Sequence, residues 1–250
     1  MRATKPMADA LDDREALRSL LDSTQAVLFD FDGPVCDLFA GRPTTCVADK
    51  IKAETRRAWG ALDQDVEDCH DAHGVLRRLR EAWDRPAPTS RSCQPLEWAE
   101  AAVTMHEYAA VTSAEPAAGV VGCVDLLLDL GRRLMIVSDT AEGPVREYLE
   151  RAGLEAKFEA VRGRDPHDAR RVKPDPDCLI RSLNHLGLPP DSCLFIGDQL
   201  TDLMAARSAS IRFLGYARDE ERATAMRRAG ADGVVASHAP VMDAARLLLS

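Results

Sequence analysis

At 250 residues, 46% of them apolar and with a formal net charge of −9, the chain has the content for one large globular domain or two modest ones. The acidic balance argues against a nucleic-acid backbone or an anionic membrane surface as the main partner, since both need clustered Lys and Arg. Seven cysteines without a Cys-x-x-Cys pair fit reduced thiols, no apolar run approaches a membrane span, and Asp9, Asp12, Asp13 and Glu15 do not resemble a secretory signal. A cytoplasmic protein is expected.

Residues 8–22 place Leu11, Leu17, Leu20 and Leu21 among acids and arginines, an amphipathic helix leading into the first strand. That strand, Val27-Leu28-Phe29, runs straight into Asp30-Phe31-Asp32-Gly33. The turn cluster Gly41-Arg42-Pro43 then reads as a hinge. From Thr44 to about Ala114 the periodicity is helical, over 48–59, 72–83 and 95–111, with Arg85-Pro86-Ala87-Pro88-Thr89-Ser90 as a loop.

Beyond Glu115-Pro116 helix and strand alternate. A helix over 121–130 precedes the apolar run Leu134-Met135-Ile136-Val137, which ends at Ser138-Asp139-Thr140. A helix with Pro144 near its start and Gly153 as its stop follows, then a strand at Ala160-Val161 and a loop around Gly163-Arg164-Asp165-Pro166. Lys173-Pro174-Asp175-Pro176 opens a helix that closes near Gly187, and the strand Leu194-Phe195-Ile196 ends at Gly197-Asp198, with Asp202 four residues on. Strands at 211–214 and 234–235 complete the series. This alternation predicts an α/β fold, a Rossmann-like three-layer parallel sheet core with an inserted all-helical cap. The expected boundaries are core over 1–38, helical cap over 39–115 and core again over 116–250.

Every informative polar cluster follows an apolar strand. In a parallel sheet those strand ends share one edge, so Asp30, Asp32, Ser138, Asp198 and Asp202 converge on one crevice. Like charges gathered there need compensation, and carboxylate oxygens are hard ligands suited to Mg²⁺. Lys173 and the Ser138 hydroxyl supply donors for an oxyanion. Taken alone, Asp30 and Asp32 would equally suit a turn after a strand.

Four motifs in order carry a resemblance: Asp30-Phe31-Asp32-Gly33, the apolar strand ending at Ser138, Lys173-Pro174, and Gly197-Asp198 with Asp202. The set resembles the haloacid dehalogenase superfamily, in its phosphoglycolate phosphatase-like branch with a helical cap after the first motif. It covers roughly 24–38 and 116–238; in the cap only location and helical character match. The resemblance implies that Asp30 is the nucleophile, forming an aspartyl-phosphate, and that Asp32 is the acid and base. It further implies Mg²⁺ held by Asp30, the Asp32 backbone carbonyl, Asp198 and Asp202, the last directly or through water. By the same resemblance, Ser138 and Lys173 are expected to bind the transferring phosphoryl oxygens. The implied activity is hydrolysis of a small phosphorylated metabolite; rival readings are a sugar phosphomutase and a catalytically silent binding module. Asp32 speaks against a dehalogenase, whose halide leaving group needs no proton. A monomer and a dimer are equally compatible with the sequence.

The departures are local. Leu38 stands where Ser or Thr is frequent, making Asp37 a hinge residue, and Asp139 stands where Asn is frequent, adding negative charge near the phosphoryl site. Ser210 occupies the place of a helix-ending glycine. Asp68, Cys69, His70, Asp71 and His73 read as a polar helix start rather than a metal cluster, and Lys50 and Lys52 as solvated lysines. Among the cap arginines Arg42, beside the hinge, is the candidate substrate contact.

Overall fold

The computed structural model describes residues 7–86 and 91–250, with side chains from Arg14 onward. Ala87, Pro88, Thr89 and Ser90 of the expected loop lie outside the described residues, as do the side chains of Asp9, Leu11, Asp12 and Asp13. In chain order the core begins with helix α1 (Met7–Asp22) and strand β1 (Ala26–Phe29). A short strand β2 (Cys36–Asp37) is followed by helices α2 (Thr45–Trp59), α3 (Gln64–Glu67), α4 (Ala72–Asp84) and α5 (Gln94–Val111), and by β3 (Glu115–Pro116). Then come α6 (Val120–Asp129), β4 (Arg133–Val137), α7 (Glu142–Arg151), β5 (Ala160–Arg162), α8 (Asp177–Leu186) and β6 (Cys193–Gly197). The chain closes with α9 (Leu200–Ser208), β7 (Arg212–Tyr216), α10 (Glu220–Arg228), β8 (Gly233–Val235) and α11 (Ala239–Leu249).

Six strands form one parallel sheet in the order β5-β4-β1-β6-β7-β8. The period of two along each strand sorts its side chains to opposite faces. Val27, Phe29, Leu134, Ile136, Leu194 and Ile196 join a cluster with residues of α1, α6, α7 and α11. Their neighbours Ala26, Leu28, Met135, Val137, Cys193 and Phe195 join a second cluster with residues of α8, α9 and α10. Burial on both faces is why these strands read as unbroken apolar runs. The three-layer α/β core is therefore as expected. Cys36, Cys123, Cys178 and Cys193 are buried free thiols that fill it.

Phe29 pairs with Ile136 on one side and Ile196 on the other, so β1, β4 and β6 end together. The chain runs outward from β1 through β4 to β5, then returns across β1 to β6. That reversal puts the switch point of the sheet beside β1, where the side chains beyond the strand ends meet.

Helices α2–α5 lie between β2 and β3, which pair antiparallel with Cys36 opposite Pro116 and Asp37 opposite Glu115. Asp37 also pairs with Arg218 at 2.5 Å, a structural role at the neck of the insertion. The inserted helices have a core of their own, including Val47, Ile51, Val75, Leu79, Ala99 and Val103. Two details differ from expectation. The strand placed at 211–214 begins at Arg212 because Ile211 N–H donates back to Ala206 C=O at 2.9 Å, closing α9 through Ser210 at φ +58°. Lys52 is buried, not solvated, donating to the carbonyls of Glu67 (3.2 Å) and Cys69 (3.0 Å). Among the described residues no helix is long and apolar enough to cross a membrane.

Candidate active site

Asp30 follows β1 directly, and its N–H donates to Ile196 C=O at 2.8 Å, so the β1–β6 ladder fixes its backbone. The chain then turns through Gly33 at φ +99°, a conformation that L residues avoid. A Cβ at Gly33 would lie 2.6 Å from Asp198 Cγ, so glycine is also what lets this turn approach the second carboxylate. Asp32 is tethered by Leu38 N–H, which donates to its Oδ1 at 2.8 Å.

Lys173, buried on the loop before α8, bridges two acids: its Nζ is 2.7 Å from Asp30 Oδ1 and 2.6 Å from Asp202 Oδ1. The other oxygen of Asp202 accepts from Asp198 N–H (3.0 Å) and Gln199 N–H (2.9 Å), completing a capping box at the start of α9. Asp202 thus shapes the loop that presents Asp198. Asp198 Oδ2 accepts from Gln199 Nε2 at 3.0 Å and Arg222 Nη1 at 2.9 Å. Asp30, Asp198 and Asp202 each offer a carboxylate oxygen within 4.8 Å of the others.

Burial, with Asp202 and Asp32 as like charges, pushes the Asp198 carboxyl up to about 7 against the pull of Arg222 and Lys173. Burial likewise holds Asp30 well above the carboxylate range despite Lys173, and raises Asp32 despite its Leu38 hydrogen bond. Lys173 goes upward, burial notwithstanding, because Asp202, Asp30 and Asp139 surround it. One ammonium among so many carboxylates leaves negative charge uncompensated. A hard divalent cation fits this donor set.

Ser138 follows β4, held by its N–H donating to Arg162 C=O at 2.9 Å, and its Oγ accepts from Thr140 N–H at 3.0 Å. Asp139 Oδ1 accepts from Lys173 N–H at 3.0 Å, so the acid that stands in place of Asn ties the serine loop to the lysine loop. A cavity of about 520 Å³ opens over this floor, lined by Asp30, Asp32, Ser138, Lys173, Asp198 and Asp202. Six of the seven residues singled out from the sequence therefore meet at one place. Arg42 does not line this cavity: it is exposed, and its carbonyl oxygen lies 3.0 Å from His106 Nε2.

The opposite wall comes from the insertion, with Phe39 and Thr44 from the segment before α2 and His73, Gly74, Arg77 and Arg78 from α4. The polar residues around His73 are a helix start: Asp71 caps α4, accepting from Gly74 N–H at 2.6 Å. His73 instead pairs with Glu107 at 2.7 Å, joining two helices of the insertion, and Glu107 pairs with Arg164 at 2.7 Å across the boundary between insertion and core. Sequence reasoning missed this group. A trace of it was present, because Glu107 continues the buried stripe Ala99, Val103, Ala110 at helical spacing.

A doubly wound parallel sheet with an acidic centre beside its switch point defines the class: a Rossmann-like α/β protein with carboxylates, a lysine and a serine hydroxyl gathered at the strand ends. Comparison with known proteins makes the assignment specific. The chain belongs to the haloacid dehalogenase-like hydrolases, a family it matches over residues 24–210.

Phosphoglycolate phosphatase 1 of Pseudomonas aeruginosa is 31% identical over 189 residues, covering 74% of this chain and 66% of that protein. The phosphoglycolate phosphatase of Rhodospirillum rubrum is 34% identical over 105 residues, 40% of this chain, and the match spans only 43% of its own length. Among solved structures, CbbY from Rhodobacter sphaeroides in complex with phosphate has the same fold, with a TM-score of 0.58 at 24% identity, covering 86% of this chain and 95% of that one.

Proposed function

We propose that this protein is a Mg²⁺-dependent phosphatase that hydrolyses a small phosphomonoester through an aspartyl-phosphate on Asp30. The observation that carries the reading is the convergence of Asp30, Asp198 and Asp202 within 4.8 Å, with Lys173 between Asp30 and Asp202. Named phosphatases among the relatives support the same direction. Residues 39–115 act as a cap that closes a small substrate away from water.

In the first step a carboxylate oxygen of Asp30 attacks phosphorus, and the bond from phosphorus to the leaving oxygen breaks. Asp32 gives its proton to that oxygen; its raised position makes a neutral, donating form accessible. In the second step Asp32 takes a proton from water, the water oxygen attacks phosphorus, and Asp30 leaves as carboxylate with release of inorganic phosphate. Lys173 and Ser138 bind the equatorial oxygens, where the charge of the transferring group is spread. Asp30 and Asp198 would hold the Mg²⁺, with Asp202 behind them ordering Lys173 and the Asp198 loop. Bound there, the ion would supply positive charge to offset that of the phosphoryl group.

A panel of phosphorylated metabolites assayed with MgCl₂ and with EDTA tests the reading. The expected outcome is Mg²⁺-dependent phosphate release, abolished in Asp30→Asn while the protein stays folded. A labelled phosphoryl group returning to bound product would make the enzyme a mutase, and undiminished turnover by the Asp30 variant would end the nucleophile assignment.

A further inference from the structure

Glu107 sits at the middle of α5 with its side chain wholly inaccessible to solvent, and each of its contacts leaves its own helix. Oε1 lies 2.7 Å from His73 Nε2, in the cavity wall supplied by the insertion, and accepts from Arg164 Nη1 at 2.7 Å. Oε2 accepts from Ala141 N–H at 3.1 Å, at the end of the loop that carries Ser138. Arg164, equally inaccessible, also donates from Nη1 to Asp139 C=O at 2.6 Å and from its N–H to Thr140 C=O at 3.1 Å. The Ser138 loop is therefore gripped at three successive residues, and two of the grips run through the Glu107–Arg164 pair.

A buried charge pair is costly unless its hydrogen bonds are nearly complete. This one is completed by Glu100 and Thr104 of the same helix, which accept from Arg164, by a catalytic loop from the core and by a cavity-wall residue from the insertion. Glu107 stays ionised: burial opposes this, but Arg164 and His73 hold its carboxyl below the usual range. An ionised Glu107 takes the proton-bearing Nε2 of His73 and so fixes the imidazole plane against the cavity.

We propose that Glu107 is a positioning residue for the reaction: it sets the spacing between the Ser138–Ala141 loop, which binds the transferring group, and His73, which contacts the leaving-group portion of the substrate. The phosphate-binding loop is then complete only when the insertion is seated on the core. The proposal rests on the phosphatase reading for the role of that loop, and inorganic phosphate binding tests it without turnover.

Three variants separate the functions. Glu107→Gln loosens both walls. Ala141→Pro removes the hydrogen bond from the loop to Glu107 while the Glu107 side chain stays in place, and Ala141 already has φ −60°, the value a proline ring imposes. His73→Ala removes the cavity-wall contact and one partner of Glu107, but leaves Glu107 its bonds to Arg164 and to Ala141 of the loop. Titration calorimetry with inorganic phosphate in MgCl₂ is expected to show binding weakened about tenfold in Glu107→Gln and Ala141→Pro, the scale of one hydrogen bond to a charged group, and unchanged in His73→Ala. Conversely, His73→Ala loses kcat/KM on a sugar phosphate but not on acetyl phosphate, which has little leaving group to touch. Should Glu107→Gln fail to fold, Ala141→Pro carries the test alone. Wild-type phosphate affinity in Ala141→Pro, an equal loss in His73→Ala, or a wild-type protein that binds no phosphate would each overturn the proposal. Phosphate binding without turnover of any phosphomonoester would sink only the broader reading.

Discussion

Replacing Asp198 by Asn should stabilise the metal-free protein while removing its response to Mg²⁺. The Asp198 carboxyl, 15% exposed, is pushed from its ordinary 3.8 up to about 7, first by burial and then by Asp202 and Asp32. Because the folded form holds this proton more tightly than the unfolded chain, stability is greatest below the unfolded value and falls as pH rises through about 7. At about 1.4 kcal/mol per pH unit, the displacement sets an upper bound of about 4 kcal/mol lost by neutral pH. Asn is isosteric and neutral, so it removes the like-charge repulsion while keeping an acceptor for Arg222. Urea unfolding in EDTA between pH 4.5 and 8 should therefore show a declining wild-type stability and a flatter, higher curve for the variant above pH 7. MgCl₂ at a hundredfold excess over its Kd should then raise the wild type by about 2.7 kcal/mol and leave the variant where it was. A variant less stable than wild type in EDTA at pH 7.5, or an equal Mg²⁺ response in both, would refute the electrostatic argument.

Other substitutions probe the neighbouring groups. Lys173→Met leaves Asp30 and Asp202 buried without their cation, at a cost of about 3–5 kcal/mol and the loss of turnover; an unchanged urea midpoint would show that the bridge adds nothing. Asp32→Asn should slow hydrolysis of an alkyl phosphomonoester about a hundredfold or more. With p-nitrophenyl phosphate, whose leaving group needs little protonation, the same variant should give a burst of p-nitrophenol followed by slow turnover, and a linear time course would argue against the second proton transfer. Ser210→Gly relieves the φ +58° conformation and should raise the melting temperature by roughly 2–4 °C, for about 1 kcal/mol.

The core and its floor were legible because their signals are local. A strand buried on both faces must be apolar throughout, so Leu194-Phe195-Ile196 announces itself, and an acid ending such a strand has few structural reasons to be there. The neck of the insertion was not legible, since two paired residues, Cys36 and Asp37 against Pro116 and Glu115, leave no periodicity to detect. The cavity wall was missed for a different reason. Glu107 and Arg164 are 57 residues apart, and neither has a charge partner within reach in sequence that explains its burial. Lys52 is the same case, its ammonium satisfied by carbonyls 15 and 17 residues away. In both, a charge on the apolar stripe of a helix was the available clue, and it says that a partner exists without saying which.

The distribution of charge ties these observations together. The sheet edge concentrates Asp30, Asp32, Asp139, Asp198 and Asp202 around one ammonium, and burial raises Asp30, Asp32, Asp139 and Asp198. Such a floor repels an anionic substrate until a cation offsets it, whereas the opposite wall offers Arg77, Arg78 and His73. Phosphate binding should therefore depend on Mg²⁺ more steeply than on ionic strength. Salt screens the half-buried arginines of the wall, but screens the buried floor much less. The net charge of −9 does not decide what approaches this cavity, because the field that matters there is set within a few ångströms of the strand ends.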